Sequence, residues 1–200
     1  MLKILLFLIT ITFALVTNAT SLAELITDCD ACHGNNGIST KPEVPTIAGF
    51  SEATLEAMMF AYVDEIRPAK ALTYLHPSGN QKQSDMKIIA RALTEEQILR
   101  LSAHYAALPF KAATQDFDKA LAKQGEVLHR NKCAKCHSNN GTSPDDDSGI
   151  LAGQWAPYLR EAFSEYRTGK RETERQMLKS VNQLSKEQVE ALVHYYASQQ

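Results

Sequence analysis

Two copies of one short motif are the residues in this chain best suited to chemistry. Each copy is a Cys-x-x-Cys-His sequence, which is the attachment signature of c-type haem. Two cysteines three residues apart on a turn can reach both vinyl groups at one porphyrin edge, and the adjacent histidine can then point its imidazole at the iron. We therefore predict two covalently attached haems, with proximal histidines, at Cys29, Cys32 and His33 and at Cys133, Cys136 and His137.

Other uses of four cysteines fit the sequence less well. Zinc sites built from two cysteine pairs usually separate the pairs by roughly 15–20 residues, whereas about 100 residues lie between these pairs. Thioredoxin-like redox motifs require a βαβ context, which the sequence lacks. Two disulfides, each spanning three residues, would be strained and would leave the histidine in both copies unexplained.

The two motifs belong to an internal repeat. The segments after them match at an offset of 104 positions, as in Ile47-Ala48-Gly49 and Leu151-Ala152-Gly153. Further on, the sequence around Met86 matches that around Met177 at an offset of 91. The first repeat therefore carries 13 extra residues before Met86, and their proline, glycine and polar content predicts a loop.

Each iron also needs a distal ligand, and methionine is a common one in electron carriers. Met86 and Met177 occupy the same position of the repeat, shortly before its last helix, so we predict them as the distal ligands. Met58 and Met59 match Ala162 and Phe163 and are interpreted as core residues. His76, in the extra loop of the first repeat, is the alternative ligand there.

Apolar residues recur at helical spacing, and no strand is predicted. The predicted helices cover residues 22–27, 52–65, 95–107, 116–131, 156–168 and 186–198. Two of them begin at capping-box patterns, with Thr94 and Ser185 as the N-caps. The fold class is therefore all-α, with two tandem domains predicted over residues 20–110 and 111–200, which we call the first half and the second half.

Further polar residues have predicted roles near the haems. The carbonyl of Pro45 should accept a hydrogen bond from His33, while the second repeat has Gly149 in that position. Donors for the haem propionates are expected among Tyr62, Tyr166, Arg67, Arg171 and Trp155. The acidic run Asp145-Asp146-Asp147 is interpreted as a solvated loop or as a docking patch for a basic partner.

The N-terminus and the composition bear on location and partners. Residues 1–19 have a lysine, an apolar run and a small-residue end, which predict a secretory signal peptide cleaved after Ala19 or Ala23. Export to the periplasm follows, without stable membrane insertion, and a retained membrane anchor is the alternative. The formal net charge of −2 gives no indication of a nucleic-acid partner.

The whole predicted mature chain resembles the diheme class I c-type cytochromes, two fused domains that each use Cys-x-x-Cys-His and a distal methionine. The second half is similar to the cytochrome subunit of flavocytochrome c sulfide dehydrogenase. That similarity is carried by Phe117-Asp118-Lys119-Ala120-Leu121 before the motif, by residues 150–159 after it, and by Tyr196-Ala197-Ser198-Gln199-Gln200 at the end. The extra loop of the first repeat departs from that subunit.

The resemblance implies pseudo-twofold symmetry and a heterodimer partner, an FAD-containing flavoprotein that oxidises sulfide. This chain would accept its electrons and pass them to a downstream cytochrome or oxidase, with no catalysis of its own. A free-standing diheme carrier that donates to a terminal oxidase or reductase is the alternative. A haem enzyme such as a peroxidase is a third reading, but it requires an open iron position.

Overall fold

The computed structural model describes residues 20–200, so the predicted signal peptide at residues 1–19 lies outside the described part. This part contains eight α-helices and one β-hairpin. In chain order the elements are α1 (Leu22–His33), α2 (Glu52–Val63), β1 (Leu72–Leu75), β2 (Gln81–Ser84), α3 (Met86–Ala92), α4 (Glu95–Ala106), α5 (Lys119–Lys132), α6 (Ala156–Arg167), α7 (Arg175–Asn182) and α8 (Lys186–Ala197).

Local sequence signals explain where several helices begin. The Thr94 hydroxyl accepts from the backbone N–H of Gln97, whose side chain accepts in return from the Thr94 N–H. Ser185 and Gln188 form the same reciprocal pair at the start of α8. These bonds satisfy backbone donors that the first turn of a helix leaves free. Both predicted capping boxes are confirmed.

The repeat is visible in the order of the helices. Helices α1 to α4 of the first half correspond to α5 to α8 of the second, and in each half the last helix contacts the first. Each half has its own buried cluster, centred on Leu101 and Tyr105 in the first and on Leu192 and Tyr196 in the second. Ile150 is an exception, because it belongs to the second half by sequence but is buried in the first cluster.

The extra residues of the first repeat are more ordered than a loop. They form an antiparallel hairpin in which Leu72 pairs with Ser84 and Leu75 with Gln81. The prediction of no strand is therefore wrong here, because runs of four residues are too short to give a clear alternating pattern. The hairpin is tied to α1 by a 2.9 Å contact between His76 Nε2 and an Asp28 carboxylate oxygen.

Three helices also differ from the sequence prediction. Helix α1 continues through Cys29 and Cys32 to His33, whereas the prediction ended it at residue 27. Met86 is the first residue of α3 and Met177 lies in the first turn of α7, whereas no helix is predicted at either position. Both methionines therefore lie on helical backbone.

Backbone hydrogen bonds join the two halves at several points. The Tyr158 N–H donates to the Pro42 carbonyl at 3.1 Å, and the Glu172 N–H donates to the Ile66 carbonyl at 2.9 Å. The two halves therefore share a packed interface. Within residues 20–200, none of the helices has both the length and the apolar character needed to cross a membrane.

Candidate haem-binding site

A cavity of about 440 Å³ lies in the first half, beside the first motif. Cys29, Cys32 and His33 line it on one side, and Met86 also lines it. Its walls are mostly apolar, and its volume falls in the range of roughly 300–1,000 Å³ that is usual for small-molecule and cofactor sites. The structure therefore brings four residues predicted to hold the first haem to one cavity.

The His33 ring is held in one orientation. Its Nδ1 lies 2.9 Å from the Pro45 carbonyl oxygen. A carbonyl can only accept, so Nδ1 carries the ring proton and Nε2 keeps a free lone pair, as a metal ligand must. Burial lowers the pKa of His33, although the bond to Pro45 opposes this effect. The ring is thus neutral, and its Nε2 is available to bind iron. The predicted hydrogen bond from His33 to the Pro45 carbonyl is confirmed.

The four cysteines are free thiols, with no disulfide among them. Burial raises the pKa of the Cys29 thiol to about 12. Cys29 also packs against the first apolar cluster, which suits a porphyrin edge. Within residues 20–200, no group of three or more histidines, cysteines and carboxylates is arranged to hold a metal ion.

The competing ligands of the first half are also located. Both ring nitrogens of His76 are engaged, Nε2 with Asp28 at 2.9 Å and Nδ1 with the Ser78 hydroxyl at 2.8 Å. This engagement on the hairpin disfavours His76 as a ligand. Met58 and Met59, predicted as core residues, both line the cavity, so they are wall residues of the site as well.

The second motif has related but different surroundings. His137 is buried, and burial lowers its pKa, with a further contribution from His129. Among the described residues, no hydrogen bond of normal geometry engages the Nδ1 of His137. The Gly149 backbone nevertheless raises the pKa of His137, against the effect of burial. Cys133 and Met177 both pack against the second core cluster, while Cys136 is exposed.

Loops next to both motifs are held by carboxylates. Asp30 accepts from the N–H groups of Asn36 and Gly37 and from the Tyr105 hydroxyl, the last at 2.9 Å. In the second half, Asp146 accepts from the Ser138 N–H and hydroxyl at 2.6 and 2.8 Å. Asp146 therefore shapes the loop that follows the second motif, which agrees with the loop interpretation of the acidic run.

Two arginine–tyrosine stacks, one from each half, have their arginines near Tyr158. The guanidinium carbon of Arg67 lies 4.5 Å from the centre of the Tyr62 ring, and that of Arg171 lies 4.5 Å from the centre of the Tyr166 ring. Both arginines are buried, and Arg67 Nε has no hydrogen-bond partner in residues 20–200. The chain thus places two buried cations in matched positions, as the repeat predicts.

The positive charge of the two buried arginines is only partly balanced by nearby carboxylates. One carboxylate, Glu165, lies 3.6 Å from Arg171, and burial raises its pKa. Burial alone would raise the pKa of Tyr158, but Arg67 and Arg171 hold it below its ordinary value. Tyr62, Arg67, Tyr158 and Glu165 all line the first cavity. This electropositive end fits the carboxylates of a propionate-bearing cofactor.

Two residues at the interface between the halves depart from the prediction. Trp155, predicted as a propionate donor, donates its Nε1–H to the Ser39 carbonyl at 2.9 Å, so its single donor is already used. Gln154 was not singled out, yet its side chain makes two buried hydrogen bonds to Thr46. These residues are 108 positions apart in sequence, and no local pattern indicates such a contact.

The residues present therefore fit c-type haem. The first cavity combines paired cysteines, a neutral histidine with a free nitrogen, a thioether and the buried Arg67, whose Nε has no hydrogen-bond partner among the described residues. The second half repeats the cysteine pair, the buried histidine, the methionine and the arginine.

Comparison with known proteins agrees with this fit. A family model described as cytochrome c matches residues 21–107 and 122–200. Cytochrome c4 of Stutzerimonas stutzeri is 30% identical over 182 residues, which cover 84% of this chain and 82% of that protein. Cytochrome c4 of Azotobacter vinelandii is 28% identical over 153 residues, which cover 72% and 69%.

Solved structures show the same fold. Reduced recombinant cytochrome c4 from Pseudomonas stutzeri superposes with a TM-score of 0.69 at 26% identity, covering 86% of this chain and 93% of that one. A thiosulfate dehydrogenase from Marichromatium purpuratum gives a TM-score of 0.68 at 24% identity, but only 36% of that chain is covered, and the likeness concerns the fold alone.

The predicted fold class and the two haems are confirmed. The more specific resemblance to the flavocytochrome subunit is not supported, because the relatives matched over most of their length are named cytochrome c4. This chain belongs to the cytochrome c family, as a diheme class I electron-transfer protein with two tandem domains similar to those of cytochrome c4.

Proposed function

We propose that this chain is a free-standing diheme carrier that moves single electrons between periplasmic partners. The observation that carries the proposal is that His33 and Met86 line the same cavity, so that the chain itself can fill both axial positions of the first haem. Each haem supplies one-electron chemistry through its iron when bound. The similarity to cytochrome c4 supports the carrier over a subunit of a larger enzyme.

The proposed attachment residues are Cys29, Cys32, Cys133 and Cys136. The proposed axial ligands are His33 and Met86 in the first half and His137 and Met177 in the second. Methionine raises the reduction potential relative to a second histidine, and it can stay bound in both oxidation states. The division of the chain between residues 110 and 111 stays a prediction, as does export through a signal peptide at residues 1–19.

The arginine–tyrosine stacks support a close approach of the two haem edges. Arg67 and Arg171 come from opposite halves, and both contribute to the field that lowers the pKa of Tyr158. Buried cations with unmatched charge are costly unless an anion joins them. We propose that these two arginines hold propionates from both haems at the interface, which would shorten the path for electron exchange within the chain.

The ligand assignment is tested by substituting methionines in the haem-loaded protein. Met86→Ala should remove about half of the weak thioether-to-iron absorption of the oxidised protein, and Met177→Ala the other half. Met58→Leu and Met59→Leu are the matched controls, because these residues line the same cavity but have no partner methionine in the second half. If either control removes the band while Met86→Ala retains it, the first-half assignment is wrong.

Carbon monoxide separates the carrier from a haem enzyme. A carrier with two bound methionines should bind carbon monoxide slowly and weakly when reduced, whereas an enzyme needs an open iron position. Rapid, tight binding to the wild-type protein would favour the enzyme. Met86→Ala serves as the positive control, since it should open one iron.

A flavoprotein partner is the second candidate, and the similarity across residues 116–200 favours it. In that case the chain would be inert toward sulfide alone and would be reduced rapidly once an FAD-containing sulfide dehydrogenase subunit from the same organism was added. Haem reduction followed with and without that subunit, together with gel filtration of the mixture, decides between the two. Equal rates and no complex favour the free-standing carrier.

A further inference from the structure

One peptide group links the first proximal histidine to the other half of the chain. The Pro45 carbonyl and the Thr46 N–H belong to the same peptide. The carbonyl accepts from His33 Nδ1 at 2.9 Å, and the N–H donates to Gln154 Oε1 at 3.0 Å. Gln154 Nε2 donates back to the Thr46 carbonyl at 2.7 Å. Gln154 has 0% of its surface exposed and Thr46 has 1%, so water does not compete for these bonds.

The repeat-related contact in the second half has different chemistry. The peptide equivalent to Pro45–Thr46 is Gly149–Ile150, and the residue equivalent to Gln154 is Phe50. A Cβ added at Gly149 would lie 3.0 Å from Cε1 of Phe50, so the ring closely covers this peptide. Phe50 and Ile150 are buried in one apolar cluster. The polar pair and the apolar pair thus occupy corresponding positions across the interface.

These contacts affect the two proximal histidines unequally. A peptide whose N–H donates a hydrogen bond becomes a better acceptor at its carbonyl, because bonds in a chain polarise one another. A carbonyl that accepts more strongly from the Nδ1–H makes the imidazole a more basic ligand. A more basic ligand favours the higher charge of oxidised iron. In the second half, His137 Nδ1 has no hydrogen bond of normal geometry within the described residues.

We propose that Gln154 is a positioning residue that lowers the reduction potential of the first haem, acting across the interface through the Pro45–Thr46 peptide and His33. This inference rests on the proposed function, because it takes His33 as an iron ligand. Gln154 belongs to the second half by sequence, so the half that binds the second haem sets a property of the first.

A purely structural role for Gln154 makes a different prediction. Two buried hydrogen bonds to a backbone stabilise the interface whether or not they influence the iron. Removing them would then lower the stability of the folded protein and leave both reduction potentials where they were. The potential is therefore the readout that separates the two roles.

The test is a redox titration of the haem-loaded Gln154→Met protein, followed by absorption. Methionine keeps the length of the side chain and removes both amide groups. Since a neighbouring bond strengthens a hydrogen bond by roughly 10–30%, we expect about a threefold change in the oxidised-to-reduced ratio of the first haem. At 59 mV per tenfold for one electron this is about 28 mV, toward higher potential. The second haem should not change.

The first haem is identified as the one whose potential and spectrum respond to Met86→His. Electron paramagnetic resonance of the oxidised protein provides an independent signal, because a weaker bond at His33 should shift the low-spin g values of the first haem alone. Gln154→Asn is the second variant in case the methionine protein does not fold. The shorter asparagine side chain cannot reach both the N–H and the carbonyl of Thr46, so the reduction potential of the first haem should also rise in this variant.

Trp155→Phe is the matched control. It removes another hydrogen bond between the halves, from Trp155 Nε1 to the Ser39 carbonyl, without touching the Pro45–Thr46 peptide. It should lower stability and leave both potentials unchanged. An unchanged first-haem potential in both Gln154 variants would overturn the inference, as would an equal shift in Trp155→Phe. Either result leaves the proposed carrier function intact. A wild-type protein that does not show two titrating haems would instead contradict the carrier function.

Discussion

The close contact between α5 and α8 in the second half leads to a quantitative prediction about stability. Gly125 lies within α5, where this helix crosses α8. A Cβ added at Gly125 would lie 2.0 Å from the Ala191 carbonyl oxygen and 2.6 Å from Cβ of Tyr195. These atoms belong to the backbone of α8 or lie next to it, so no flexible side chain can move aside. The two helices would have to separate by at least about 1 Å to restore ordinary contact distances.

Two opposing terms set the size of the effect of Gly125→Ala. Alanine favours the helix over glycine by about 1 kcal/mol. Overpacking a core contact usually costs about 1–3 kcal/mol, and more where backbone must move. The contact at 2.0 Å lies at the severe end, so we expect a net loss of about 2 kcal/mol in the free energy of unfolding. For a chain of this size that loss lowers Tm by about 4–8 °C.

The assay is thermal and denaturant unfolding of the haem-loaded protein. Gln124→Ala is the control, because Gln124 is exposed on the same helix and its substitution should change stability by less than about 0.5 kcal/mol. A Gly125→Ala protein as stable as the wild type, or more stable, would refute the close approach of α5 and α8. We expect the haem absorption spectrum of the Gly125→Ala protein to match that of the wild type, since Gly125 is two helical turns from Cys133.

Three further substitutions test other contacts. His76→Ala should release the hairpin from Asp28 and speed proteolysis at residues 76–80, and an unchanged cleavage rate would argue against this attachment. Tyr105→Phe should lower the free energy of unfolding by about 1 kcal/mol through the lost bond to Asp30, measured in urea. Asp146→Ala should raise hydrogen exchange in the loop after the second motif, with Asp145→Ala as a silent control.

Much of the site follows from local sequence. The motif spacing, the repeat and the two methionines at equivalent positions predict which residues meet, and His33, Pro45 and Met86 are found in or beside one cavity. The capping boxes at Thr94 and Ser185 fix the starts of the last helices. These features depend on residues a few positions apart, or on one repeat matching the other, so one sequence suffices to predict them.

The remainder depends on contacts between distant segments. Gln154 is an ordinary polar residue until the second half folds against Thr46, and nothing nearby distinguishes it from an exposed glutamine. The hairpin escaped prediction because β2 consists of polar residues and only Leu72 and Tyr74 of β1 turn inward. The indole of Trp155 was assigned to a propionate because its true acceptor, Ser39, lies 116 positions away.

The exchange of side chains between the halves limits how the chain can be divided. Ile150 completes the first apolar cluster, and Gln154 satisfies both backbone groups of Thr46. A first half produced alone would lose a buried apolar residue and would exchange two buried hydrogen bonds, each worth about 0.5–1.5 kcal/mol net, for bonds to water. We therefore expect neither half to be stable on its own. Unfolding should proceed as a single cooperative transition, and a protein cut near residue 111 should recover its fold only when both fragments are present together.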